Sequence, residues 1–142
     1  MKRAIQVLAV IPGLLLLAAA CSKGATSSGN PGSQGAVAVS VKEFSLVSAT
    51  STAPAGTLTF SITNNGTIVH EFVVLKTDAP AAGVPVENGQ ASEEGDLGEA
   101  EDIAPGTTKA LTLNLAAGHY VLACNIPGHY QAGMHTDFTV GS

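Results

Sequence analysis

Apolar residues occupy every second position in several short runs after residue 36, and this alternation restricts the fold more than any other feature. A two-residue period is typical of β-strands with one buried face. The clearest runs are Val37–Val41, Leu58–Ile62 and Leu111–Leu115. Turn signals such as Pro54-Ala55-Gly56 and Asn64-Asn65-Gly66 separate the runs. The pattern predicts an all-β fold, an antiparallel Greek-key two-sheet sandwich of about seven strands.

Three further features refine the predicted sandwich. The strand from about Ile68 to Lys76 is apolar on both faces, so we expect it to be central in its sheet. The alternation changes phase at Phe44, which predicts a bulge or bend near Lys42-Glu43. A final strand from Thr136 to Val140 is expected to close the chain.

The segment from Thr77 to Ala104 has a different composition, with eight acidic residues and no basic one. It is too long for a simple turn, and its scattered Gly and Pro predict a mobile acidic loop with at most short helical or strand pieces. The segment is either a solvated loop or a docking surface for a basic partner. Calcium binding is only weakly supported, because the carboxylates lack the ordered spacing of an EF-hand loop.

The first 20 residues have the layout of a secretory signal peptide, with basic Lys2 and Arg3, an apolar body and three small residues before Cys21. The ending Leu-Ala-Ala-Ala-Cys resembles that of a bacterial lipoprotein, in which the Cys becomes the lipidated first residue. The alternatives are an uncleaved N-terminal anchor or a plain signal cut beside an incidental Cys. If Cys21 is lipidated, residues 21–35 would be a lipid-anchored flexible tether, rich in Ser and Gly, before a domain at residues 36–142. We therefore expect an extracytoplasmic, membrane-anchored lipoprotein on the periplasmic face or the cell surface.

The charge balance limits the partners of the chain. Eleven acidic residues face six basic ones, for a formal net charge of −5, and only four Lys remain without the signal segment. An acidic domain without a basic patch argues against nucleic-acid binding, whereas it is compatible with a positively charged protein partner. With 142 residues the chain is long enough for one domain, and we expect a monomer.

The residues from Cys124 to Met134 carry the clearest chemical signal, because they place a thiol, an imidazole and a thioether on one short loop. Four residues separate Cys124 from His129, and four more separate His129 from Met134. This donor set suits copper better than other common metals. A trigonal copper site needs a second His, and His70 is the best candidate. A disulfide between Cys124 and Cys21 is rejected, because each Cys has a separate local explanation.

The pattern Cys-x4-His-x4-Met, after a Gly-x-Tyr-x-x-x-Cys strand and a distant upstream His, resembles the cupredoxin family. The Ile-Pro-Gly-His sequence and the spacing are most similar to the auracyanin, rusticyanin and sulfocyanin branches. The resemblance covers roughly residues 36–142. It implies one type 1 copper ion, with a long axial bond to the Met, and the ligands would be His70, Cys124, His129 and Met134.

The resemblance also implies a surface for redox partner proteins, where His129 reaches the surface through an apolar patch. This patch would consist of Ile126, Pro127, Ala132 and Tyr130. The two remaining imidazoles of the domain, His119 and His135, are expected to be surface residues and not ligands.

Two positions depart from the family pattern. Glu71 follows the first His, where Asn is often found, and Asn125 follows the Cys, where Ser or Thr is often found. In the family these positions brace one ligand loop against the other, so Glu71 and Asn125 are candidates for that role. A carboxylate near the metal would also favour Cu(II) and lower the reduction potential.

These features lead us to expect a blue-copper electron-transfer protein that cycles between Cu(I) and Cu(II) by outer-sphere transfer. Three strong ligands and an axial thioether leave no open position for substrate, so we do not expect an enzyme. The alternative is a copper-binding storage or delivery module without redox turnover. A copper oxidase or nitrite reductase would need a second copper centre, and a structural zinc site would not use the thioether.

Overall fold

In the computed structural model, which describes residues 34–142, the chain forms eleven β-strands and one short 3₁₀ turn at Ala81–Gly83. The strands are β1 (Gln34–Lys42), β2 (Ser45–Ser48), β3 (Thr52–Pro54), β4 (Gly56–Asn64), β5 (His70–Lys76), β6 (Val86–Glu87), β7 (Gln90–Ala91), β8 (Asp96–Ile103), β9 (Thr108–Leu115), β10 (Gly118–Ala123) and β11 (His135–Gly141).

Two sheets form the sandwich, with strand orders β2-β1-β4-β9 and β3-β11-β10-β5-β8, and β6 and β7 form a separate ribbon. The predicted all-β two-sheet sandwich is confirmed. The expectation of about seven strands, antiparallel throughout, was wrong in detail, because β1 pairs with β4 and β3 pairs with β11 in parallel. The chain crosses from one sheet to the other between β2 and β3 and returns at β4. This double crossing allows β1 and β4 to run side by side in the same direction.

The change of phase at Phe44 marks the turn of a hairpin, where a bulge or bend within one strand was predicted. In the β1–β2 hairpin Lys42 pairs with Ser45, so Glu43 and Phe44 are the two turn residues. Because the chain reverses there, Leu46 returns to the core whereas Phe44 remains 51% exposed.

The main hydrophobic core lies between the two sheets and uses the alternate residues that the sequence pattern indicated. The Phe60 ring lies 5.4 Å from that of Phe72 and 5.6 Å from that of Phe138, measured between ring centroids. Cys124 and Met134 belong to the same buried cluster. Its other members include Val37, Val39, Val41, Leu58, Ile62, Val74, Tyr120, Leu122, Ile103 and Val140.

β5 lies between β10 and β8, so its predicted central position is confirmed. A second apolar cluster covers the outer face of β5 and β10 and explains why this strand is apolar on both sides. The acidic segment contributes Ala81, Val84 and Ala91 to this cluster. The sheet and the loop after β10 contribute Val73, Leu75, Val121, Ala123 and Tyr130.

The second half of the acidic segment forms β8, the edge strand that pairs with β5. The prediction of a mobile loop with at most short strand pieces was therefore wrong for residues 96–103, because backbone hydrogen bonds to β5 outweigh the acidic composition. The charges lie along the outer edge of the sheet, where they oppose pairing with another chain. The acidic residues of this edge are Asp96, Glu99, Glu101 and Asp102.

β1 begins at Gln34, two residues before the expected domain boundary at residue 36. The predicted signal peptide, the lipid-anchor residue Cys21 and most of the predicted tether lie outside the described residues. Within residues 34–142, no helix has the length and apolar character that a membrane crossing requires.

Candidate metal centre

Two neighbouring strands bring the predicted ligands to one end of the sandwich. β5 begins at His70, and β10 ends directly before Cys124. The two strands are antiparallel, so the start of one lies beside the end of the other. His129 and Met134 lie on the loop that joins β10 to β11, and the pairing of these strands closes the loop at the same end.

Three donor atoms converge at this end. Sγ of Cys124 lies 3.3 Å from Nδ1 of His129 and 3.8 Å from Nδ1 of His70. The three donor atoms all lie within 4.8 Å of one another. His70 and Cys124 are fully buried, and His129 is 7% exposed. Both imidazoles therefore direct the same nitrogen at one thiol, as expected of residues that share a metal ion.

The backbone of the ligand loop places Met134 next to these donors. The Cys124 amide donates a 2.9 Å hydrogen bond to the Met134 carbonyl, and the Met134 amide donates a 3.2 Å bond to the His129 carbonyl. Gly128 and Gly133 adopt positive φ angles of 86° and 103°, which favour glycine and give the loop its turns. Met134 is fully buried and packs in the main core.

The site disfavours charge on its own ligands when no metal is bound. Burial lowers the pKa of His70, and the neighbouring His129 lowers it further. Burial also lowers the pKa of His129. Burial raises the pKa of the Cys124 thiol, although a 3.3 Å contact with the Glu71 amide partly opposes this. Two neutral imidazoles are therefore ready to bind a cation, which would stabilise the thiolate.

The donor chemistry fits copper. A buried thiolate, two imidazoles and a thioether combine the soft and intermediate ligands that copper accepts. A zinc site would take the Cys and His ligands, but it would not use the thioether. His70, Cys124, His129 and Met134 are thus arranged as a type 1 copper site.

The two positions that depart from the family pattern do not brace each other. The Asn125 side chain bonds to the backbone of Ala91 and donates to Oε1 of Glu93 at 3.0 Å. The backbone amide of Glu71, and not its side chain, donates a hydrogen bond to Cys124 Sγ. Burial raises the pKa of the Glu71 side chain to about 7, and the carboxylates of β8 add to this rise. Asn125 therefore connects the ligand loop to the acidic segment and not to the His70 strand.

Two contacts at the turn of the β1–β2 hairpin were not predicted from the sequence. Oε1 of Glu43 lies 3.7 Å from Nε2 of His70. The Phe44 ring lies edge-on to the His129 ring, with 5.2 Å between centroids. The change of phase at Phe44 was the available signal, but it did not show which elements the turn would contact.

The predicted patch around His129 needs one correction. Tyr130 is buried, and its hydroxyl bonds to the Ala81 carbonyl and the Val84 amide, so it does not belong to an exposed patch. Of the other predicted members, Pro127 and Ala132 are exposed and Ile126 is half-buried. Further apolar exposure at this end comes from Phe44, Ile68 and Val69.

The two remaining imidazoles lie outside the donor group. His119 is half-buried and faces away from the site, with Nδ1 2.6 Å from the Thr77 carbonyl and Nε2 3.0 Å from Oδ1 of Asp137. His135 packs against the Tyr130 ring at 4.7 Å between centroids. Among the described residues, the cluster of possible ligand side chains contains His70, Cys124 and His129.

Comparison with known proteins identifies related sequences. The family model described as a cupredoxin-like domain matches residues 12–137. The copper-resistant cuproprotein CopI of Vibrio cholerae is 33% identical over 82 residues, which cover 57% of this chain and 48% of that protein. The chain therefore spans about half the length of this curated relative.

Solved structures share the fold at lower identity. Auracyanin of Roseiflexus castenholzii is 24% identical, with a TM-score of 0.55 over 75% of this chain and 95% of that one. Rusticyanin of Thiobacillus ferrooxidans is 19% identical, with a TM-score of 0.60 over 75% of this chain and 76% of that one. The family match, the sandwich and the convergent donors agree, and the chain belongs to the cupredoxin-like domain family, with His70, Cys124, His129 and Met134 as its copper site.

Proposed function

We propose that this protein is a membrane-tethered, extracytoplasmic electron carrier and not an enzyme. The observation that carries the proposal is the enclosure of the site, since His70, Cys124 and Met134 are fully buried and His129 is 7% exposed. Such a site leaves little room for a substrate next to the metal. Bound copper supplies one-electron redox chemistry, and the surrounding residues limit what else reaches it.

The chain holds the ligands in place, which favours rapid electron transfer. His70 is fixed by strand pairing, and Cys124 and Met134 are joined through a backbone hydrogen bond. The Gly128 amide also donates a 2.8 Å bond to the Gly89 carbonyl, which ties the loop to the β6–β7 ribbon. Ligands that move little between two oxidation states require little reorganisation.

We further propose that redox partner proteins dock at the apolar surface around His129. Phe44, Ile68 and Val69 are each more than 40% exposed, and Phe44 contacts the His129 ring. Exposed apolar groups concentrated at one end support a protein interaction there. The acidic edge at β8 would favour a partner with positive charge near its own apolar contact surface.

Voltammetry and stopped-flow oxidation of copper-loaded residues 22–142 test electron transfer. A reversible one-electron wave, with copper retained over many cycles, is expected. Phe44→Ala should slow electron exchange with a partner protein more than Val47→Ala, because Val47 is also exposed but lies on β2, outside the turn. Loss of copper on each reduction would contradict the carrier function.

A second candidate is copper storage or delivery without redox turnover. The observation that favours it is the 33% identity to a protein described as a copper-resistant cuproprotein. The two functions differ in how tightly copper is held. Rapid transfer of Cu(I) to a chelating acceptor, without a partner-dependent electron-transfer reaction, would select this second function.

Membrane tethering through lipidated Cys21 is supported by the signal-like first 20 residues and the small residues that precede this Cys. Mass spectrometry of the full-length protein expressed in bacteria would test it, with Cys21→Ser as the control. An acylated N-terminal Cys and sedimentation with membranes are expected. A free Cys21, or recovery with soluble proteins, would contradict the tether.

We also propose a monomer, which size-exclusion chromatography with light scattering would test.

A further inference from the structure

The fully buried Nε2 of His70 has no hydrogen-bond partner among the described residues. Nδ1 of the same ring faces the Cys124 sulfur at 3.8 Å. A neutral imidazole that offers the Nδ1 lone pair carries its proton on Nε2. That N–H would be left unpaired in the core unless an acceptor lies near it, and unpaired buried donors are costly.

The Glu43 carboxylate offers an acceptor close to this N–H. Its Oε1 is 3.7 Å from Nε2, slightly beyond hydrogen-bond distance, and the side chain is 26% exposed. The same oxygen accepts hydrogen bonds from the amides of Thr67 and Ile68 at 2.6 and 2.7 Å. Glu43 therefore contacts both the ring of His70 and the backbone that leads into it.

The turn before β5 is shaped around this carboxylate. A Cβ atom at Gly66 would lie 2.6 Å from Oε2 of Glu43, so a larger residue there would displace the carboxylate. The buried Asn64 side chain also donates to the carbonyls of Ile68 and Ile103 at 2.7 Å each. Asn64 and Glu43 thus both bond to the backbone of Ile68, two positions before His70.

We propose that Glu43 is a positioning residue of the copper centre, which fixes the tautomer and orientation of His70 and places a negative charge behind this ligand. Metal-binding histidines commonly direct their second nitrogen to a carboxylate, a carbonyl or water, and such partners raise ligand basicity. A fixed negative charge here favours Cu(II) over Cu(I) and lowers the reduction potential. The inference rests on the proposed function only in treating this potential as functionally important.

The test compares Glu43→Gln with Glu94→Gln, which removes the same charge from an exposed position in the acidic segment. In copper-free protein, NMR of the His70 ring should show the proton on Nε2 in the wild type. Glu43→Gln should mix the tautomers and speed amide exchange at Thr67 and Ile68 several-fold. In copper-loaded protein, Glu43→Gln should raise the reduction potential more than Glu94→Gln does.

Glu43→Ala should shift the His70 tautomer and the potential in the same directions. Equal potentials in the two Gln variants, or an unchanged His70 tautomer in folded Glu43→Ala, would overturn the proposal. The copper-free measurements do not depend on electron transfer, so they remain decisive if the protein stores copper.

Discussion

Asn125 and Ala91 form a reciprocal pair of hydrogen bonds: the Ala91 amide donates to Oδ1 of Asn125 at 2.7 Å, and Nδ2 of Asn125 donates to the Ala91 carbonyl at 3.1 Å. The pair joins the residue after the Cys ligand to β7, which is more than 30 residues earlier in the chain. The Gln90 side chain adds a 2.9 Å bond to the Asn125 carbonyl. The acidic segment therefore supports the ligand loop from outside the sandwich.

Asn125→Ala is expected to destabilise the protein by about 1–3 kcal/mol, because it leaves the buried Ala91 backbone groups without their partner. Urea unfolding of the copper-free protein would measure this loss. Asn114→Ala, at an exposed position of β9, is the matched control and should change stability by less than about 0.5 kcal/mol. Copper should also dissociate faster from Asn125→Ala, and an unchanged release rate would show that the loop holds its shape without this pair.

The soluble part, residues 22–142, is expected to bind one copper ion and to become intensely coloured as Cu(II), because a buried thiolate supplies the strongest ligand. Cys124→Ala should abolish the colour, whereas Met134→Leu should retain it. Absorption spectra with metal analysis would follow both properties. Persistent colour in Cys124→Ala would exclude Cys124 as the ligand.

Met134→Leu is expected to raise the reduction potential, and Met134→Gln is expected to lower it. Leu removes a weak donor and makes the pocket more apolar, which penalises the more highly charged Cu(II) state. Gln offers a harder oxygen that favours Cu(II). The Leu variant should lose less than about 1.5 kcal/mol of stability, since the volumes are similar. Voltammetry of the wild type and both variants at one pH would measure the three potentials. Identical potentials would mean that Met134 is only a core residue.

His119→Ala is expected to leave the copper spectrum unaltered, whereas His70→Ala or His129→Ala should abolish or reshape it. The imidazole of His119 connects Thr77 to Asp137, so its loss should cost about 1 kcal/mol of stability. His135→Ala should likewise retain the spectrum. Copper spectra and thermal unfolding curves of the four variants separate loss of the copper site from loss of stability. Loss of the copper site in His119→Ala would contradict the strand orientation.

The sequence alone was sufficient for the fold class and for the four ligands. Alternation of apolar and polar residues shows which face of a strand is buried, so β4, β9 and β11 could be identified without knowledge of the strands beside them. Three ligands lie within one short loop, where spacing alone limits the distance between them. His70 was the best candidate for the second imidazole, and the resemblance to the cupredoxin family, with its distant upstream His, implied the same residue.

The tertiary structure decided which distant segments support the site. Glu43 lies 27 positions before His70, and Ala91 lies 34 positions before Asn125, so no local period relates the members of either pair. The acidic composition of residues 77–104 concealed both the small apolar residues that cover the sheet and the edge strand β8. Side-chain alternation describes one strand at a time, whereas sheet order and the contacts of turns depend on how all strands pair at once. For that reason the ligands and the candidate support residue Asn125 were recognisable from the sequence, but its partner Ala91 and the contact between Glu43 and His70 were not.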